Sequence, residues 1–261
     1  MKCAILIALY NAEKTLDKTF DSLLAQTFQD FRIVAIDDAS SDTTSSRLRA
    51  WQLRFGQKRF TLIGNKLNLG LTKSLNVGLA DITESYTARI DADDWWHPEK
   101  LMKQTTYLDT HADCGLVGSF YENISSRGPK RISLPETDAE IRKNIFKRNP
   151  FAHSCVLFRT DTVKRLGGYD ESVRYGQDYD LWLRLLPEIM FANIPEVLCS
   201  RTTEGTLTAR RQREQMFQCV KTQLKYLQRY NQSITAYRYI FEPLAVALVP
   251  EWLRRLKRNI L

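Results

Sequence analysis

The hydrophobic pattern of the first hundred residues switches repeatedly between unbroken apolar runs and helical spacing. Cys3–Leu9 is a short continuous apolar run, the signature of a strand covered on both faces. Leu16, Phe20, Leu23 and Leu24 then recur at the spacing of one helix face within residues 15–25. A second strand is predicted over 31–36, a helix over 43–55, a strand over 60–63, a helix over 71–80 and a fourth strand over 86–90. That order predicts an α/β fold with a mostly parallel sheet flanked by helices. Ligands of such sheets bind beyond the carboxyl ends of the strands. The rule directs attention to Tyr10-Asn11, to Asp37-Asp38 and to Asp91-Ala92-Asp93-Asp94, which each follow a strand.

Residues 111–205 are more irregular. Short apolar runs alternate with a helix near 138–146 and with a helix starting near Asp178, whose Leu181, Trp182 and Leu185 share a face. The tail predicts two more helices. Met216, Phe217, Val220, Leu224 and Leu227 form one apolar stripe, and Ile234, Tyr237, Phe241, Leu244 and Leu248 form another, with Pro250 ending or kinking the second. No internal repeat or low-complexity linker interrupts the chain.

Composition narrows the class. With 261 residues, 43% hydrophobic and 26% charged, the chain has the balance of a soluble globular protein. No stretch approaches the roughly 20 apolar residues that span a bilayer, and the apolar start is too short for a secretory signal. Five widely spaced cysteines without a CxxC pair argue against a disulfide frame or zinc site and for a reduced, cytoplasmic compartment. The net charge of +8 is uneven: the last 61 residues carry 12 basic and 4 acidic side chains, while the rest of the chain is balanced. A localised basic segment suits an anionic surface.

Three carboxylates at Asp91, Asp93 and Asp94 repel one another unless something positive sits among them. A divalent cation is one solution, since Mg²⁺ and Mn²⁺ take few carboxylates plus phosphate oxygens. The other reading is that Asp93 or Asp94 caps a helix beginning near Pro98. Asp37 and Asp38 can accept from a ribose hydroxyl or a base N–H, while Ser41 or Asp42 can cap the following helix. Lys66, Lys73 and Arg89 could meet a diphosphate or be ordinary surface charges. Asp178 stands at a helix start, where the dipole favours the anion, and could be a plain cap. His153 could be structural or functional.

Taken in order, nine segments resemble the inverting family 2 glycosyltransferases of the GT-A fold: Tyr10-Asn11-Ala12-Glu13; Ser22 to Thr27; Ile36-Asp37-Asp38 to Thr43; Asn68-Leu69-Gly70; Leu75-Asn76-Val77-Gly78; Ala88-Arg89-Ile90-Asp91-Ala92-Asp93-Asp94; Asn149-Pro150-Phe151-Ala152-His153-Ser154; Gly167 to Glu171; and Gln177-Asp178-Tyr179-Asp180 to Arg184. The resemblance runs from residue 3 to about residue 205 and is greatest to the bacterial branch that builds surface polysaccharides and lipopolysaccharide side chains. It implies a GT-A domain over 1–205, with a nucleotide-sugar half over 1–110 and an acceptor half over 111–205, followed by a basic helical tail over 206–261.

The resemblance also implies roles. Tyr10 would stack on the base and Asp38 would read it. Asp91 would hold the ribose, with Asn11, Glu13, Asn68 and Lys73 completing the donor side. Asp93 would coordinate Mn²⁺ or Mg²⁺ on the diphosphate. Asp178 would be the general base, and His153 and Trp182 would line the acceptor or phosphate side. Where many members carry a histidine after the last strand, this chain has Thr203. The expected reaction moves a sugar from a nucleoside-diphosphate donor, UDP favoured, to a glycan or lipid-linked acceptor. The alternatives are a nucleotidyltransferase and a non-catalytic nucleotide-binding module. The last residues, 250–261, form a basic amphipathic segment with Trp252, suited to an anionic membrane surface at the inner face of the plasma membrane; a nucleic-acid partner is not expected.

Overall fold

The computed structural model describes residues 1–202 and 212–248. Thr203 and residues 250–261 lie outside them. The apolar run Cys3–Leu9 forms β1 and is buried along almost its whole length. A strand apolar on both faces needs cover on both, and it receives it. On one side β1 pairs in parallel with β2 (Phe31–Asp37), from Cys3↔Phe31 to Leu9↔Asp37. On the other it pairs in parallel with β4 (Tyr86–Arg89). The third strand, β3 (Phe60–Gly64), continues the parallel set beyond β2.

Two cores sandwich this sheet. On one face α1 (Leu16–Leu24) and α2 (Thr44–Phe55) contribute Leu16, Phe20, Leu48 and Trp51, with Phe20 stacked on Trp51 at 5.5 Å. On the other face α3 (Leu71–Asp81) brings Leu75 and Leu79 onto Leu6 and Ile36. Gly78 permits that approach: a Cβ there would lie 2.4 Å from Ile36 and 2.5 Å from Leu6, far inside van der Waals contact.

Beyond β4 the sheet changes character. Its order is β3-β2-β1-β4-β8-β6-β9-β5, with β7 (Gly128–Ile132) paired off β6. Here β8 (Leu157–Arg159) is antiparallel to β4 and to β6 (Cys114–Ser125), and β5 (Trp95–Trp96) is antiparallel to β9 (Met190–Thr202). The parallel character thus holds through the first four strands and again for β6 and β9. Helices α4 (Lys100–Thr110), α5 (Asp138–Asn144), α6 (Thr160–Arg165) and α7 (Gln177–Leu185) complete this half. Helix α5 starts on a reciprocal capping box between Thr137 and Glu140.

The described part of the tail, residues 212–248, packs on the same body. Helix α8 (Gln212–Arg229) buries Thr222, Gln223, Tyr226 and Leu227 against the second core. Of the expected stripe only Leu227 is buried; Met216, Phe217, Val220 and Leu224 are half-exposed. The partner surface decides this, because it offers polar groups: the Tyr226 hydroxyl donates to Asp180 at 2.9 Å, and Gln223 donates to the Phe146 carbonyl at 2.8 Å. The second stripe is corrected as well. In the 3₁₀ turn 234–240 and in α9 (Phe241–Leu248), Ile234, Phe241 and Leu248 point outward, 88%, 65% and 62% exposed. Pro243 faces inward instead.

Candidate active site

The strand order reverses at β1: the chain goes from β1 to β2 and β3 on one side, then returns to β4 on the other. A crevice at this switch point is the expected ligand site, reached by the segments that follow β1 and β4.

Three loops build the rim. Tyr10 ends β1 half-exposed at 53%, with its ring open to a stacking partner. Asn11 takes φ 50°, a left-handed conformation that asparagine tolerates. Its side-chain oxygen accepts from Ser41 N–H at 2.9 Å, and Ser40 accepts the Asn11 N–H at 3.0 Å. Glu13 accepts from the Thr43 backbone and hydroxyl at 3.2 and 2.7 Å, so its carboxylate serves the N-terminus of α2. Asp42 accepts from Thr44 N–H at 2.9 Å and is the capping side chain there. The side chains of Asn11 and Glu13 therefore join the β1–α1 loop to the β2–α2 loop.

Asp38 is turned inward and buried. One carboxylate oxygen accepts from Asn65 at 2.7 Å and Leu69 N–H at 2.9 Å, the other from Gly70 N–H at 2.9 Å. Burial opposes its charge, but these donors outweigh that and hold its carboxyl below the usual range. These bonds make Asp38 the organiser of loop 65–70. Asn68 donates to the Asp38 carbonyl at 3.3 Å, and Lys73 is exposed on the first turn of α3.

The floor holds the charge. Asp91 forms an ion pair with the fully buried Arg89 at 2.5 Å and accepts from the Ser154 hydroxyl at 2.9 Å. Burial works against its ionisation, yet Arg89 and Arg201 hold its carboxyl down at about 2. Burial, then the Asp91 charge, push Asp93 up to about 6 and Asp94 up to about 7. Asp94 is tied down by Thr202 N–H at 3.1 Å and lies 3.6 Å from Arg201. Neither Asp93 nor Asp94 caps a helix: β5 intervenes and α4 starts only at Lys100, after Glu99. Asp93 is half-buried and forms no ion pair among the described residues. It is the carboxylate available to a cation. Among the described residues no three His, Cys, Asp or Glu side chains form a closed cage, so a cation here would complete its shell with phosphate oxygens and water, as Mg²⁺ and Mn²⁺ commonly do.

Asp178 is the second residue of α7, after the left-handed cap Gly176. Its Oδ2 accepts from Asn149 at 2.9 Å. Burial raises its carboxyl above the ordinary value, against the pull of the Tyr179 N–H, Asn149, Arg201 and Arg89. Asp178 and the Asp91–Asp94 cluster therefore share the field of the same two arginines. His153 is buried, 2.9 Å from the Tyr169 hydroxyl, and burial followed by Arg89 keeps its ring neutral at pH 7. Trp182 is fully buried, edge-on to His153 and Phe151. That corrects its expected place on the acceptor surface: it supports the floor from below.

The sequence profile of Glycosyl transferase family 2 matches residues 4–167. The chain belongs to this family. Its fold is that of the GT-A glycosyltransferases. It is 36% identical over 200 residues to the amylovoran biosynthesis glycosyltransferase AmsE of Erwinia amylovora, covering 75% of this chain and 74% of that one. It is 29% identical to the O-antigen biosynthesis glycosyltransferase WbnJ of Escherichia coli, covering 75% and 77%. S. aureus TarS 1–349 in complex with UDP-GlcNAc superposes with a TM-score of 0.72 at 18% identity, over 95% of this chain and 72% of that one. This chain spans 65% of the UDP-bound form of TarS 1–349. The mannosyltransferase PcManGT of Pyrobaculum calidifontis, in complex with GDP-Man and Mn²⁺, gives 0.68 at 17% identity, over 99% and 79%.

This family 2 glycosyltransferase also uses residues that sequence reasoning left without roles. Ser154 fixes Asp91, Asn149 fixes Asp178, Arg201 balances Asp94, and Asp180 fastens α8 through Tyr226 and Lys225. Ser154, Asn149 and Asp180 lie inside recognisable motifs, so the signal was present. Arg201 stands in the Arg201-Thr202-Thr203 segment, but its pairing with Asp94, 107 positions earlier in the chain, has no local signal.

Proposed function

We propose that the protein is an inverting glycosyltransferase that moves a sugar from a nucleoside-diphosphate donor to a glycan or lipid-linked acceptor in surface polysaccharide synthesis. The observation that carries this reading is the contrast between two sets of carboxylates within one arginine field. Asp91 is held ionised by Arg89 and Ser154, whereas Asp178 is raised toward the working pH and aligned by Asn149. Carboxylates whose environments drive them apart are the mark of divided acid–base roles. Relatives named for amylovoran and O-antigen synthesis support the polysaccharide assignment, and neighbours bound to UDP-GlcNAc and GDP-Man support the donor class.

In this reading Tyr10 stacks on the base, loop 65–70 shaped by Asp38 walls the nucleotide, and Asp91 holds the ribose. Asp93, with Asp91 beside it, would hold Mn²⁺ or Mg²⁺. When bound, that cation offsets the charge that develops on the departing diphosphate. Asp178 accepts the proton of the acceptor hydroxyl as it attacks the anomeric carbon; a single displacement of this kind inverts that centre. His153, neutral and fixed by Tyr169, lies near Asp91 as a wall of the acceptor or phosphate side. The basic segment 250–261 would hold the enzyme at the inner face of the plasma membrane; among the described residues no helix is long and apolar enough to cross one.

The test is turnover of a panel of nucleotide sugars with Mn²⁺ and membrane-extracted acceptors, with the anomeric configuration of the product read by NMR. Inverted product, dependent on Asp178, is expected. Retention of configuration, or nucleotidyl transfer in its place, would overturn the assignment.

A further inference from the structure

A second site lies away from the catalytic crevice. Between α5 and the 3₁₀ turn 234–240 is a cavity of about 190 Å³, room for about six waters at their liquid volume. Its polar lining includes Arg142, Lys143, Ser233, Thr235, Arg238 and Tyr239, and no acidic side chain lines it. Arg142 is already engaged, by Asp138 at 2.6 Å and by the carbonyls of Leu186 and Ile189. Lys143 takes no hydrogen bond or ion pair among the described residues, and Glu140, the acid nearest to it on α5, is committed to the capping box. Among the described residues Arg238 donates only to the Tyr239 hydroxyl, at 3.1 Å. That bond, with Lys147 and Lys143 nearby, holds the phenol below its ordinary value. Among the described residues Lys143 and Arg238 form no ion pair with an acid, and the cavity is a positive hollow with two hydroxyls, Ser233 and Thr235, at 2.8 Å from each other.

The chain that lines it and the helix that follows carry apolar side chains exposed to water. Ile234, between the two cavity hydroxyls in sequence, is 88% exposed. On α9, Phe241, Ala245 and Leu248 are all exposed at the i, i+4, i+7 spacing of one face. Beyond that helix the sequence continues with Trp252, Arg254, Arg255, Lys257 and Arg258. Cations in a hollow and an outward apolar stripe on the helix that follows in the chain match a bilayer surface, where phosphates lie above acyl chains.

We infer that this face is a docking surface for an anionic bilayer, with a headgroup phosphate seated in the hollow on Lys143 and Arg238 and with Phe241 and Leu248 in the interface. The inference rests on the proposed membrane-side function and gives it a location. It also explains a connection. Phe146 lines the hollow, and Asn149, which aligns Asp178, follows three residues later, within about 11 Å of extended chain. A lipid held at the hollow would put a lipid-linked acceptor on the side of the base.

The experiment is flotation of the full chain with phosphatidylcholine vesicles and with phosphatidylglycerol-containing vesicles. The proteins compared are wild type, Lys143→Gln/Arg238→Gln, Phe241→Ser/Leu248→Ser, and a variant with Arg254, Arg255, Lys257 and Arg258 changed to Gln. Wild type is expected to float with anionic vesicles only. The Lys143→Gln/Arg238→Gln protein should bind about 30-fold more weakly, with its melting temperature and nucleotide binding unchanged. The Phe241→Ser/Leu248→Ser protein should lose about tenfold or more. If the hollow variants float like wild type while the variant of 254–258 does not, the tail alone carries attachment and the inference is overturned, though the membrane reading survives. If wild type does not float, both fall. Saturable binding of inorganic phosphate at the hollow without vesicle binding, or self-association abolished by Phe241→Ser/Leu248→Ser, would also overturn it.

Discussion

The two halves of the site treat their polar side chains in opposite ways. In the nucleotide half, Asn11, Glu13, Asp38 and Asp42 are engaged with neighbouring loops. In the acceptor half and on the floor, charge is left incompletely answered: Asp93 and Asp94 are pushed to about 6 and about 7, Arg89 is buried with spare donors among the described residues, and Asp178 is raised. The first region is a finished frame that stabilises the fold. The second holds unresolved electrostatics that a bound donor and cation would complete. Stability and reactivity are thus assigned to different carboxylates of one crevice.

The strongest way to break this contrast is to exchange the proposed base for its amide. Asp178→Asn keeps the bond from Asn149 but cannot accept a proton, so glycosyl transfer should fall by about 10²-fold or more. Nucleotide binding should change little. In the wild type, the acid limb of kcat/KM should lie above the ordinary aspartate value of about 3.9, because burial raises Asp178. A mutant with near wild-type transfer would remove Asp178 from the mechanism.

Asp93→Ala comes next. Affinity for nucleoside diphosphate in Mn²⁺ should drop by about tenfold or more, the loss of one charge-assisted contact, with circular dichroism unchanged. Affinities that match with and without chelator in both proteins would exclude a cation held by Asp93.

The same amide exchange in the frame should act on stability instead. Asp38→Asn replaces an acceptor-only carboxylate by an amide whose NH₂ meets the donors of loop 65–70, with a loss of about 2 kcal/mol in urea unfolding at pH 7. The sign with pH follows from its lowered folded value. The folded state favours ionised Asp38, so its contribution is fully present above the ordinary value of about 3.9 and disappears as the pH falls through the lower folded value. Wild type and Asp38→Asn should therefore converge in acid. Asp178 should do the reverse: with a raised folded value, its ionised form weakens the fold at pH 7, so Asp178→Asn should melt slightly higher. Parallel shifts in the two mutants would contradict the contrast.

The smallest effect concerns the tail. Tyr226→Phe removes the hydroxyl that donates to the buried Asp180, whose other partners are Arg184 and Lys225. A loss of about 1 kcal/mol is expected, with amide exchange accelerating in α8 before β1. Uniform acceleration would mean that α8 unfolds only with the whole domain.

The sequence by itself determined the parallel sheet of β1 to β4, because unbroken apolar runs and intervening 3.6-residue periodicity are local signals that long-range contacts here reinforce. It also determined which strand ends carry carboxylates. The directions of those carboxylates were decided by tertiary structure. Asp38 is held against loop 65–70 because three donors more than 25 residues away converge on it. Trp182 falls beneath His153, and Arg201 reaches Asp94 across a pairing of β5 with β9 that a two-residue strand cannot announce. The outward face of α9 was misjudged for the same reason: apolar periodicity identifies a helix and its stripe, but only packing against α8 decides whether that stripe is buried. A local pattern fixes which residues share a face; what the face meets depends on partners that the chain brings together only when folded.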